Sequence, residues 1–253
     1  MKTLVGYLTA GFPTVDDSAR ALIAMAESGC DVLEIGLPYT DPVMDGPAIQ
    51  AASTAALRNG TRTEDVLRVV ERVAARTGVP VLVMTYWNPV EQYGIERFAD
   101  RLHDAGGAGC VLPDLPVQHS QPWRQAAGSR GLDSVFIAAP SSTDRRVREI
   151  AEASTGFVYA ASTLGVTGMR SGVGGSDLVA RIRAVTELPV YVGLGVSSGK
   201  QAKEVASFAD GVIVGSAIVR RMLDAPDADT GIESVRELCR ELATGTHQLL
   251  SRT

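Results

Sequence analysis

The sequence predicts an α/β fold, a single (β/α)8 TIM barrel with a parallel eight-stranded core, and three observations carry that prediction. Eight short strand-like runs alternate with helical stretches over 253 residues, the number of βα units and the length that such a barrel needs. The runs are continuously apolar and rich in Val and Ile, as parallel strands covered by helices on the outside are. The turn after the first run, Ala10-Gly11-Phe12-Pro13, lacks the glycine fingerprint of the competing open, doubly wound dinucleotide sheet. No low-complexity linker or shift of composition divides the chain, so residues 1–253 are expected to form one domain.

Residues 4–9 form the first predicted strand and 10–13 a turn. From 15 to 28, apolar residues recur at helical spacing, with Asp16 and Asp17 in the first turn and Gly29 past the end, the usual start and stop signals of a helix. The second strand is 31–36. A helix over Pro47–Arg58 stops at Asn59-Gly60, and another starts at Thr63, with Val66, Val69, Val70 and Val73 on one face, and ends before Gly78. Strands follow at 79–86, 109–112, 133–138, 156–160, 189–192 and 211–214. The intervening helices are 95–105, 122–130, 144–153, 177–186 and 200–207, and helices over 218–223 and 232–251 close the chain.

Composition excludes several functions. A net charge of −5 without a block of Lys or Arg speaks against nucleic acid. No apolar run reaches membrane-spanning length, and the start, Met1-Lys2-Thr3-Leu4, enters a strand without a signal-peptide pattern. Cys30, Cys110 and Cys239 are odd in number and form no CxxC pair, so they read as buried thiols of a cytoplasmic protein. His103, His119 and His247 have no metal-ligand spacing.

The stretch from Leu33 to Gln50 is where chemistry is expected. It places one carboxylate, Glu34, within an apolar strand and then turns into a loop with three prolines (Pro38, Pro42, Pro47) and two acids, Asp41 and Asp45. Burial raises a carboxyl pKa, which suits Glu34 to proton transfer near neutrality. The plainer alternatives are that Glu34 pairs with a buried Lys or Arg, and that Asp45 caps the helix beginning near Pro47. Barrel active sites lie at the C-terminal strand ends. Tyr159 falls there late in the sixth strand, either in the site or packing in the core. Asp114 falls there after the fourth strand, where forming a turn is its simplest role. Three glycine-bearing loops share this rim: Gly165 to Gly168, Gly193 to Gly195, and Gly215-Ser216 at the start of a helix. Barrels bind phosphate after strands seven and eight, through exposed backbone N–H groups at a helix N-terminus.

The residues Leu33-Glu34-Ile35-Gly36-Leu37-Pro38-Tyr39-Thr40-Asp41-Pro42, with Asp45-Gly46-Pro47 and Ile49-Gln50, closely resemble the signature of the tryptophan synthase alpha subunit family. Thr9 to Pro13, Met84-Thr85-Tyr86-Trp87-Asn88-Pro89, Gly165-Val166-Thr167-Gly168, Gly193 to Ser197 and Val214 to Val219 resemble family motifs in family order. The resemblance implies a lyase that splits indole-3-glycerol phosphate into indole and glyceraldehyde 3-phosphate by retro-aldol cleavage. Carried over by position, it implies Glu34 as principal acid–base and Asp45 as second catalytic carboxylate. It implies Tyr7 and Met84 in the indole pocket, Tyr159 beside the catalytic Glu, and Thr167, Gly168, Gly195, Gly215 and Ser216 around the substrate and its phosphate. It implies no cofactor in this chain, pyridoxal phosphate belonging to a beta partner, and an alpha2beta2 assembly in which two mobile loops meet the beta subunit. Because Asp45 lies on a loop and the facing loop, Leu164 to Ser176, carries five glycines that are costly to order, the isolated chain is expected to be mostly open, with Asp45 misplaced and turnover low. One departure is that the family usually has a helix before the first strand, which covers the barrel's bottom; starting almost at that strand, the chain is expected to be less well covered there. Besides an alpha subunit, the sequence admits a stand-alone indole-releasing lyase and a catalytically weak activator of a beta partner. A pure activator has no need of a buried Glu34.

Overall fold

The computed structural model describes residues 2–161, 175–193 and 195–247. The strands are β1 (Thr3–Thr9), β2 (Val32–Gly36), β3 (Val81–Met84), β4 (Gly109–Val111), β5 (Asp133–Val135), β6 (Ile137–Ala138), β7 (Val158–Ala161), β8 (Val190–Gly193) and β9 (Gly211–Val214). The helices are α1 (Val15–Glu27), α2 (Pro47–Arg58), α3 (Thr63–Thr77), α4 (Trp87–Tyr93), α5 (Ile95–Asp104), α6 (Gln121–Gly128), α7 (Asp144–Ala153), α8 (Ser176–Arg183), α9 (Gly199–Ala206), α10 (Ser216–Leu223) and α11 (Ala228–His247). The strands pair in parallel in the order β5-β4-β3-β2-β1-β9-β8-β7-β6. Because β5 and β6, the two ends of that order, are joined through Phe136, the sheet closes on itself as a TIM barrel.

The expected eight strand runs form the barrel, and the fifth is divided in two, so that nine strands occur among the described residues. The fifth run changes partner midway: Val135 pairs with Val111 of β4, and Ile137 with Tyr159 of β7. At the handover the Phe136 amide donates to Ser154 Oγ (3.4 Å), and its carbonyl accepts the Tyr159 N–H (3.2 Å). Two short ladders replace one long one, and the alternation of side chains runs through unbroken.

That alternation separates two apolar clusters. Leu4, Leu8, Leu33, Ile35, Val81 and Val83 face the helices. Val5, Leu82, Val111, Val135 and Ile213 fill the barrel interior, with Met84, Ile137, Tyr159 and Tyr191 packed against them. Large and small residues interlock around the interior. A Cβ placed on Gly36 would lie 2.0 Å from the Tyr7 hydroxyl, and one on Gly193 would lie 2.4 Å from that of Tyr159. Glycine at these two strand ends is what lets each neighbouring tyrosine lie across the barrel.

Carboxylates tie down the bottom of the barrel. Asp31 accepts the Leu4 N–H (2.7 Å) and meets His247 Nε2 of α11 (2.9 Å). Asp210 accepts the Val190 N–H (3.1 Å) and pairs with Arg183 and Lys2. Phe157 and Tyr191 stack at 4.3 Å near the starts of β7 and β8. The large apolar side chains most exposed among the described residues, Val43 and Met44, lie instead on the loop between β2 and α2. All three cysteines are buried and unbridged, Cys30 facing Cys239 across 3.7 Å.

The helix α4 was not expected from the sequence. Its seven residues contain Pro89 and are too few for periodicity to register. Asp114 accepts the Trp87 N–H at the start of α4 (2.8 Å), so this rim carboxylate is a helix-capping group and not merely a turn former.

Candidate active site

Glu34 is the third residue of β2, in register with Tyr7 of β1 on one side and Leu82 of β3 on the other. Both neighbours project inward, so Glu34 does too. It is 2 % exposed, and Oε1 has no hydrogen-bond partner. Among the described residues no Lys, Arg or His is paired with it, which removes the reading of Glu34 as half of a buried ion pair. Burial pushes its carboxyl up to about 8, because the charged form has lost its water and gained no counter-ion. At neutral pH the group is mostly the protonated acid. The phenols of Tyr7 and Tyr159 are buried and raised for the same reason, with the Glu34 charge adding to the shift.

Asp45 arrives from the other direction, on the loop between β2 and α2. It does not cap α2: the N-cap residue is Gly46, with no side-chain capping bond. Its carboxylate instead accepts a hydrogen bond from the Tyr86 hydroxyl (3.0 Å), which in turn accepts the Met44 N–H (3.0 Å). Asp45 is half-buried. Desolvation raises its pKa, and the Tyr86 bond offsets part of that rise. Gln50 Nε2 holds the Asp45 carbonyl (2.7 Å), and Tyr39 packs on Tyr86 with ring centroids 5.2 Å apart.

Glu34 and Asp45 line one cavity of about 390 Å³ at the C-terminal rim, within the size range of small-molecule sites. Tyr7, Met84, Tyr159, Gly195, Gly215 and Ser216 line it with them. Two of the sequence-expected site residues, Thr167 and Gly168, lie outside the described residues, as does all of the glycine-rich 165–175 run except Gly175. At one end of the cavity Gly215 is the N-cap of α10 and Ser216 its first residue. Gly195 lies opposite in a left-handed conformation with φ 65°. A Cβ on Gly215 would sit 3.2 Å from the Tyr7 ring, a tight contact that a larger side chain would crowd further. Among the described residues, no Lys or Arg lines this cavity. An anion at this end would meet backbone N–H groups and the positive end of a helix.

A larger groove of about 590 Å³ runs along the outer side of α10, past Arg220, Arg221 and Thr230. It shares Gly195 and Ser216 with the inner cavity but reaches neither Glu34 nor Asp45. No cluster of three or more His, Cys, Asp or Glu with metal-binding geometry occurs among the described residues. Nor is any helix among them long and apolar enough to cross a membrane.

Tyr86 is a residue of this site that sequence reasoning missed. The available signal was parity: it lies two positions beyond Met84, and residues two apart share a face of an extended chain.

Comparison with known proteins follows the geometry. Residues 1–247 match the family described as tryptophan synthase alpha chain. The tryptophan synthase alpha chain of Streptomyces avermitilis is 59 % identical over 244 residues, covering 96 % of this chain and 88 % of the relative. That of Thermobifida fusca is 53 % identical over 247 residues, covering 96 % and 91 %. A solved structure of Mycobacterium tuberculosis tryptophan synthase superposes with a TM-score of 0.89 at 49 % identity, covering 97 % of this chain and 92 % of that one. The alpha subunit from Legionella pneumophila superposes at 0.88 with 32 % identity, covering 98 % and 94 %.

The burial of Glu34 has a consequence for stability. With a folded pKa of about 8 against an ordinary value of 4.5, the native state keeps a proton that the unfolded chain has released. Between those values the native state binds more protons, so unfolding free energy falls as pH rises through the window and levels off above it. Denaturant unfolding of the wild type and Glu34→Gln from pH 4 to pH 9 is expected to show a stability difference that drifts against the wild type from about pH 4.5 to 8. A pH-independent difference would mean that Glu34 titrates normally.

Proposed function

Since the chain belongs to the tryptophan synthase alpha chain family, we propose that Glu34 and Asp45 carry its reaction. The chain is a lyase of tryptophan biosynthesis that cleaves indole-3-glycerol phosphate. The observation that most supports these two residues is that a partnerless buried carboxyl and a tethered, half-buried carboxylate face one rim cavity.

The bond to be broken joins indole C3 to the first glycerol carbon, and indole leaves poorly as a carbanion. Glu34, protonated at neutral pH, gives its proton to C3 and makes an indolenine-like cation. The resulting Glu34 carboxylate then takes the proton of the adjacent hydroxyl. The hydroxyl carbon becomes the aldehyde of glyceraldehyde 3-phosphate, the bonding pair returns to the ring, and indole leaves with its new C3 hydrogen. Glu34 ends protonated, as it began. Asp45, as an anion near the indole nitrogen, opposes the positive charge that exists only partway through, which is where stabilisation accelerates a reaction. Tyr7, Met84 and Tyr159 enclose the indole. Gly195, Gly215 and Ser216, together with Thr167 and Gly168, hold the phosphate and so fix the reacting bond over Glu34. Nothing in this sequence of proton transfers requires a metal or organic cofactor of the chain's own; pyridoxal phosphate would belong to a beta partner.

The same reading makes residues 1–253 one catalytic domain of an alpha2beta2 heterotetramer. Three buried, unbridged cysteines suit the reducing cytoplasm. The beta chain would raise turnover by favouring the closed cavity. The hold of Tyr86 on Asp45 supports a measurable activity of the chain by itself, short of a free-standing indole producer. A catalytically weak activator is disfavoured, because it would bear the cost of burying Glu34 without using it.

Glu34→Gln keeps the shape and removes the proton. Its turnover is expected to fall by about 10²–10⁴-fold, the usual contribution of a general acid–base, with substrate still binding; near-wild-type turnover would refute the role. Gly215→Val places a branched side chain where an anion would approach the backbone and where Tyr7 already crowds. Isothermal calorimetry with inorganic phosphate is expected to show binding weakened by roughly tenfold or more, one lost charge-assisted contact. Unchanged affinity would take Gly215 out of the phosphate site.

A further inference from the structure

We infer that Tyr86 is the positioning residue of this reaction: its hydroxyl sets the place and the ionisation of the Asp45 carboxylate, and through them the charge stabilisation on the indole nitrogen. The inference rests on the proposed role of Asp45 and deepens it.

Tyr86 stands two residues beyond β3 and is 4 % exposed. Its hydroxyl makes two bonds, and their directions fix its role. It accepts the Met44 N–H at 3.0 Å and donates to Asp45 Oδ1 at 3.0 Å. The proton of the phenol is therefore committed to the carboxylate, while the backbone one residue earlier holds the oxygen in line. On the same loop, Tyr39 lies against the Tyr86 ring at 30° to it. Tyr86 thus grips the loop at three points: a ring, an amide and the functional carboxylate. The phenol is buried and pushed up to about 12, chiefly by desolvation, so it keeps its proton and stays a donor well above neutral pH.

The neighbourhood makes this grip consequential. Met44 and Val43, beside Asp45, are among the most exposed large apolar side chains described. On the same loop the Thr40 hydroxyl bonds the neighbouring Asp41 carboxylate. Without the hydroxyl, the Asp45 carboxylate keeps its partial burial but loses the side-chain bond that favours its charged form. Its pKa then rises, since a hydrogen bond donated to a carboxylate lowers the pKa.

The test is a double-mutant cycle in the full chain, with indole-3-glycerol phosphate as substrate and steady-state turnover followed against pH. Tyr86→Phe keeps the ring and its contact with Tyr39 and removes only the hydroxyl. Its kcat is expected to fall by about tenfold to a hundredfold, the range for losing a hydrogen bond to a charged group, with KM changed far less. The acidic limb of its pH profile is expected to move to higher pH, so that raising the pH recovers part of the loss. In an Asp45→Asn background the same substitution should have little further effect, because the two groups act as a unit. An unshifted acidic limb in Tyr86→Phe, or a full additional loss in the double variant, overturns the inference while a strong Asp45→Asn defect leaves the role of Asp45 standing. Full activity of Asp45→Asn overturns both.

Discussion

A carboxyl group with an unpartnered oxygen, 2 % exposed inside a parallel barrel, is the constraint around which this molecule is arranged. Such a group is expensive to bury in its charged form and tolerable in its neutral one. Among the described residues the barrel gives Glu34 no cation to pair with. On one side stands a tyrosine whose own phenol is bonded to Thr9 (3.3 Å), and on the other the apolar Leu82. The surroundings thereby select the protonated state, and a chain of this size has enough apolar burial elsewhere to carry the cost. The acid is prepared by what is withheld from it.

The two ends of the barrel handle charge in opposite ways. At the bottom each carboxylate has partners: Asp31 has Leu4 N–H and His247, and Asp210 has Val190 N–H, Arg183 and Lys2. Those groups fasten strand starts to one another and to α11. At the top, among the described residues, Glu34 has no cation, Asp45 has a phenol, and the cavity has no Lys or Arg in its lining. On the proposed reading this arrangement suits a phosphorylated substrate. Backbone N–H groups and the α10 dipole hold the phosphate without placing a mobile cation near Glu34, where it would lower the pKa and spoil the acid. A neutral Glu34 also avoids repelling the incoming phosphate.

Much of this was legible in the sequence, for reasons that differ residue by residue. The β2 run announces itself because Leu33, Glu34 and Ile35 stand in an apolar context where an acid is anomalous. The glycines at 193, 195 and 215 stand at strand ends, where the fold brings chain close to chain. Eight βα units follow from periodicity alone. The handover at Phe136 was not legible, because hydrogen-bond partnership leaves no trace in side-chain pattern when alternation continues through it. Nor was α4, whose seven residues are too few to show a period. The fate of Asp45 was ambiguous: a carboxylate before Gly-Pro reads as a helix cap, and only the long-range approach of Tyr86, 41 residues away, decides otherwise. The structure describes neither Thr167 nor Gly168, so their expected roles rest on the family resemblance.

The most direct test of the account is the titration of Glu34 itself. Carbon-13 NMR of chain labelled at the glutamate carboxyl, with the Glu34 resonance assigned by its absence in Glu34→Gln, reads the protonation state of that one group. The account predicts a single inflection near pH 8 in the substrate-free protein. An inflection near 4.5, the ordinary value for an exposed glutamate, would mean that Glu34 is a carboxylate at neutral pH and cannot begin the reaction as the acid.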